Sequence, residues 1–172
     1  KANYSSAGAG NSSHLNGELF RLSAGFDAVH LPFKGAPEAM TEVIAGRSDF
    51  YFAPLVNATP LLKDGQLVAL AVSGSQRASA LPDVPTTVEA GFANSDYNFW
   101  AGVFVPVKTP APIKEKLYQE IAKALAHPNV ASKLKELGAD PMPITSAQYD
   151  ALVKKEIETN SKIAKAANIR VN

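Results

Sequence analysis

Between Tyr4 and Asn57 the same order of text occurs three times: a short apolar run, then small residues or proline, then a helical pattern. That recurrence constrains the fold more than any other feature. Its first instance, Tyr4-Ser5-Ser6-Ala7-Gly8-Ala9-Gly10-Asn11-Ser12-Ser13-His14, runs from a strand-like start into a loop with almost no side-chain bulk. Ala28-Val29-His30-Leu31 is the second run, stopped by Pro32 and followed by Phe33-Lys34-Gly35-Ala36-Pro37-Glu38. Phe50-Tyr51-Phe52-Ala53 is the third, leading through Pro54 to Asn57. Strands alternating with helices predict an α/β layer structure with a mostly parallel sheet, which places all the connecting loops at the carboxyl edge. The first loop is read as leaving backbone N–H groups bare, beside a helix start with its own unpaired donors and positive dipole end. The edge therefore suits an anion.

Helix faces follow from spacing. Leu15, Leu19 and Leu22 line the first helix, which Gly25 can end in a left-handed conformation. In the second, Pro37 suits the first turn and Met40, Val43 and Ile44 face the core before Gly46. A third helix carries Leu61 and Leu62 and closes at Gly65. Leu67–Val72 reads as a fourth strand and Phe99–Val105 as another, with irregular text and a short helix at Thr87–Ala90 between them. Pro106 to Pro112 is a Pro-rich connector, the predicted boundary. Beyond it Ile113, Leu117, Ile121 and Leu125 mark one helix, and Val130, Leu134 and Leu137 a second that starts at Pro128 and ends at Gly138. Thr145 and Gln148 form a capping box for a long last helix.

Composition removes whole classes of chemistry. With no cysteine there is no disulfide, thiol nucleophile or cysteine metal site. His14, His30 and His127 are scattered without a second ligand at i+3 or i+4, so neither a metal nor any other cofactor is expected. A net charge of +1 argues against nucleic acid and a polybasic membrane surface. The apolar runs fall short of a membrane helix, so a soluble chain is expected. The start at Lys1, without a leader, reads as processed or cut from something longer. No G-x-S-x-G elbow, catalytic carboxylate pair or Cys/His pair is present, and the chain is read as non-enzymatic.

Alternatives stay open at single residues. Gly8, Gly10 and Ser13 make an imperfect dinucleotide fingerprint, with Asp27 near the spacing of a ribose-binding acid but ahead of its strand. His14, on the first turn of the first helix, either reaches the ligand mouth or is a surface or capping residue. Lys34 contacts a carboxylate or sits in solvent, Asn57 meets a ligand or caps its helix, and Phe99 and Trp100 pack or stack on a ligand.

Together, Ser6-Ala7-Gly8 with Gly10, Ser12 and His14, the block His30-Leu31-Pro32-Phe33-Lys34-Gly35, the run Leu67–Val72, the block Leu81-Pro82-Asp83-Val84-Pro85-Thr86 with Glu89-Ala90-Gly91, and Thr109-Pro110-Ala111-Pro112 resemble the Bug or TctC family. These are solute-binding receptors of bacterial tripartite tricarboxylate transporters. The resemblance implies a periplasmic receptor that closes two lobes on a small carboxylate and delivers it to membrane permease subunits. It implies a periplasmic-binding-protein type II-like lobe with a mostly parallel sheet over residues 1–104. Residues 105–172 would be a C-terminal helical segment returning to a missing first lobe. Ligand contacts carried over by position are Ser6, Gly8, Gly10, Asn11, Ser12, His14, Lys34, Gly35, Ala53 and Pro54. Ala53 stands where relatives often have an aspartate associated with an amino group, which favours a plain carboxylate. With the first lobe absent, apolar helix faces would lie bare and drive a homodimer. The rival readings are a Rossmann-like nucleotide-binding enzyme domain and a ligandless sensor or interaction domain of the same fold.

Overall fold

A computed structural model of the chain describes residues 1–170. Three parallel strands, β1 (Ala2–Ser6), β2 (Ala28–Pro32) and β3 (Phe50–Tyr51), form a sheet in the order β2-β1-β3. Tyr4 pairs with His30 on one side and Phe50 on the other, which fixes the register and aligns the carboxyl ends. The crossovers are α1 (Ser12–Ala24) and α2 (Ala36–Ile44), and β3 runs into α3 (Leu55–Lys63). Gly25 ends α1 at φ 68°, in the left-handed region where a Cβ is costly. The C-terminal region holds α4 (Ala111–Ala126), α5 (Pro128–Glu136) and α6 (Ser146–Ala166), the last opened by the Thr145–Gln148 capping box in full.

Tyr4 is the centre of the first module. It has no exposed surface, its ring stacks on His30 at 5.1 Å and Phe50 at 5.4 Å, and its hydroxyl donates to Glu18 Oε1 at 2.6 Å. Gly17 makes room for it, since a Cβ there would run into the Tyr4 ring. Behind α1, Phe20 meets Phe52, Phe50 and Phe92 edge-on at 5.4, 6.0 and 4.9 Å. The C-terminal half of α6 closes the other flank, with Ile163 buried against Leu15 and Tyr97.

Two expected strands do not form. In Leu67–Val72 only Val72 is paired, in a single parallel bridge to Thr86, while Val68 and Leu70 are 80% and 75% exposed. The apolar run suits a buried strand, but among the described residues no partner strand pairs with it beyond the Val72 bridge. Phe99–Val105 likewise forms no strand; Phe99, Val103 and Phe104 are exposed, and Trp100 is held edge-on against Tyr149 of α6 at 5.4 Å. The short helix expected at Thr87–Ala90 is a turn, built on Glu89 accepting from the Thr86 amide at 2.7 Å. Lengths also differ: the third strand stops at Tyr51, and Leu22 and Ile44 face solvent rather than core.

The surface is large for the mass. At 10912 Å² it exceeds by a third the roughly 8,100 Å² expected of a compact chain of this mass. Ile113, Leu117 and Ile121 on α4, Ile157 on α6 and Val107 before α4 account for part of that excess as exposed apolar groups.

Candidate ligand-binding edge

Because the strands are parallel and in register, residues 7–11, 33–35 and 52–54 all lie at the carboxyl edge of the sheet, each leading into a helix. Phe33 donates its amide to the Ser6 carbonyl at 2.9 Å, joining the first two loops, and Gly8 at φ 138° lets the loop pass close to the Phe33 carbonyl. Three helices therefore begin at one rim.

The donors are distributed differently from the sequence expectation. The small-residue loop is not bare. Ala7 donates to Ser13 Oγ at 3.0 Å, Gly8 to Ser6 Oγ at 3.2 Å, and Gly10 to His14 Nδ1 at 3.0 Å. Asn11 caps α1 by accepting from the His14 amide at 3.1 Å and the Ser13 hydroxyl at 2.7 Å. Lacking bulky side chains, the loop folds tightly enough for its own polar groups to meet. By contrast α2 follows Gly35 and α3 follows Pro54, and neither start has a side-chain cap. Pro37 has no N–H, and the Ala39, Asn57 and Ala58 amides already donate to the Gly35 and Pro54 carbonyls, so the donors left at these two starts are the amides of Ala36 and Glu38 in α2 and of Leu55 and Val56 in α3.

Among the residues singled out from sequence, Ser6 is fully buried and sits behind the loop, and His14 is 7% exposed with Nδ1 already taken. Gly8, Gly10, Asn11 and Ser12 form the loop and the start of α1, and Lys34, Gly35, Ala53 and Pro54 form the two neighbouring loops. Lys34 is exposed; its amide donates to Glu38 Oε2 at 3.1 Å. Asn57 is in the first turn of α3 and does not cap it; the cap position is Pro54. Asp27 lies ahead of β2, at the opposite edge, 82% exposed and 4.0 Å from Arg21, where no ribose on the Gly8 loop could reach it.

Sequence reasoning missed what stands behind the loop. The His14 and His30 rings stack face to face at 3.6 Å and 7°, and Ser6 Oγ lies 2.6 Å from His30 Nε2. Burial first, then the neighbouring His14, pushes His30 down to about 4; burial likewise lowers His14 against the opposing pull of Glu18. Burial raises the Glu18 carboxyl, but hydrogen bonds from Arg21 and Tyr4 outweigh it and hold the group below its ordinary value. Tyr51, at the end of β3, keeps a buried hydroxyl with no partner. The only sequence signal for it was its place beside the Pro54 loop.

A cavity of about 160 Å³ adjoins the edge, between Ser12, Trp100, Glu156 and Asn160. The larger hollow, about 500 Å³ around Arg77 and Glu89, has no rim residue in its lining. The family model described as the tripartite tricarboxylate transporter family receptor, TctC, matches residues 1–169.

The chain belongs to the TctC family.

It is 35% identical over 167 residues to the "UPF0065 protein in the TAR-I ttuE-ttuC' intergenic region" of Agrobacterium vitis, covering 95% of this chain and 48% of that protein. Among solved structures it resembles R. palustris Rpa4515 with adipate (TM-score 0.89, 30% identity, 98% of this chain and 56% of that one). MatC from Rhodopseudomonas palustris with bound malate follows at 0.84 and 32%, covering 94% and 56%. The periplasmic binding protein BugD matches at 0.86 and 28%, covering 98% and 57%. The fold of this TctC chain is thus the α/β fold of periplasmic binding proteins, and the chain spans about half the length of the first curated relatives it matches.

Proposed function

We propose that this chain is the ligand-binding part of a periplasmic solute-binding receptor that captures a small carboxylate for membrane permease subunits of a tripartite tricarboxylate transporter. The observation that carries the reading is the convergence of three helix starts on one sheet edge, two of them uncapped. Backbone donors there can hold a carboxylate without a dedicated ion pair, and Lys34 adds the one rim cation among the described residues. The relatives solved with adipate and malate support a dicarboxylate. In this reading Gly8, Gly10, Asn11, Ser12, Lys34, Gly35, Ala53 and Pro54 face the ligand, and Ser6 and His14 support the loop from behind. Residues 1–104 form the binding lobe and residues 105–172 the segment that meets another lobe. Ligand bridging two lobes would stabilise the closed state and so couple capture to docking.

Thermal denaturation with adipate, malate, citrate and AMP tests this, with sodium chloride matched for ionic strength. At ligand about tenfold above its Kd, a carboxylate should raise Tm by about 3 °C. Lys34→Ala should weaken binding about fivefold at low salt and less at high salt. A shift with AMP alone, or with none of the acids, overturns the reading.

The bare apolar groups on α4 and α6 carry a second expectation. Taken alone, the chain should pair with a second copy through that face, because Ile113, Leu117, Ile121 and Ile157 leave apolar area in water that pairing would bury. Light scattering coupled to size exclusion reads it directly: a clean monomer at high concentration refutes the pairing.

A further inference from the structure

We propose that His14, stacked on His30, forms a clamp, competent only when His14 Nδ1 is unprotonated, that sets the conformation of the Ala7–Asn11 loop and releases it on protonation. The consequence for ligand affinity rests on the receptor reading above; the clamp itself does not.

Geometry fixes the protonation state of His14 at Nδ1. His14 Nδ1 accepts the Gly10 amide at 3.0 Å, and only an unprotonated ring nitrogen can accept. His30 Nε2 meets Ser6 Oγ at 2.6 Å, and Ser6 Oγ in turn accepts the Gly8 amide at 3.2 Å. Two of the loop's amides therefore lead to the two imidazoles, one directly and one through a serine. The rings lie parallel, 3.6 Å apart, so two positive charges there would repel at van der Waals distance.

The charged and titratable groups around the pair are few. From β1, Tyr4 stacks on His30 at 5.1 Å and lies 6.4 Å from His14, its hydroxyl tied to Glu18. From α1, Glu18 attracts a proton onto either ring, but its carboxylate already receives Tyr4 and both the Nε and Nη2 donors of Arg21. With Glu18 engaged, burial decides, and both rings resist protonation. When a proton does enter His14 at Nδ1, the acceptor becomes a donor facing the Gly10 N–H. The loop must then move away.

Nuclear magnetic resonance on the ligand-free chain tests the clamp. Titrating from pH 7.5 to 4.5, the His14 ring carbon signals and the Gly10 amide should move together, with a midpoint below that of an ordinary imidazole. In His14→Asn, whose amide oxygen can take the place of Nδ1 without titrating, the Gly10 amide should stay still over the same range. Calorimetry with adipate supplies the second arm. Lowering the pH from 7.5 to 5 should weaken binding at least threefold more in the wild type than in His14→Asn, the protonation of adipate itself being common to both. A Gly10 amide that ignores His14, or one that titrates equally in the variant, overturns the clamp. Co-titration without any adipate binding at pH 7.5 upholds the clamp and removes the receptor reading instead.

Discussion

Replacing Gly17 with valine is expected to lower the unfolding free energy by about 3 kcal/mol. Taken by itself the exchange favours the helix slightly, because a mid-helix glycine costs up to about 1 kcal/mol. The opposing effect is steric and larger. A Cβ at position 17 falls onto the ring carbons of Tyr4, and that ring cannot retreat. It is fully buried, bracketed by His30 and Phe50, and pinned at its hydroxyl by Glu18. The helix must lift off β1, and the loop between them must deform with it. Urea unfolding followed by circular dichroism measures the loss. A midpoint equal to that of the wild type would mean that α1 is not seated on β1 as described.

The same contact shows what could be read from the text and what could not. The three strand–loop–helix units, the left-handed Gly25 and the Thr145–Gln148 box are local: each depends on residues a few positions apart, and each forms. The rim was legible for the same reason, since parallel strands in register put their loops on one side whatever the side chains do. The runs Leu67–Val72 and Phe99–Val105 were not legible, because an apolar run specifies burial and a partner strand has to be supplied from elsewhere. Least legible was the support behind the loop. His14 meets His30, and Tyr4 meets Glu18, only because the register sets Tyr4 opposite His30 and α1 crosses above them. Nothing in the spacing of three separate histidines announces a stacked pair. For that reason the text implies a set of open donors, whereas Ser6, Ser13 and His14 already hold three of the loop's amides.

The fold as a whole should be acid-labile through these buried groups, well before general carboxylate protonation. His30 holds its proton only near pH 4 in the folded state, against 6.5 for an ordinary imidazole, and His14 is displaced in the same direction. Between those values the unfolded chain binds more protons than the folded one, so unfolding free energy rises with pH across that window. The stability is fully present above about pH 6.5 and is lost as pH falls toward 4. After allowance for the partial exposure of the His30 ring, the loss is about 2 kcal/mol across the window. Glu18 adds to it at the lower end: its depressed carboxyl stabilises the fold above its ordinary value of 4.5, and that contribution disappears as pH drops through the still lower folded value. Urea midpoints at pH 7, 6, 5 and 4.5 trace the dependence. In His30→Gln, which keeps a polar group near Ser6 Oγ without a titrating ring, the slope between pH 6.5 and 5 should fall by at least half. An equal slope in both proteins would place the acid sensitivity outside the stacked pair, and a flat profile in the wild type would mean that the rings are not desolvated together against Tyr4.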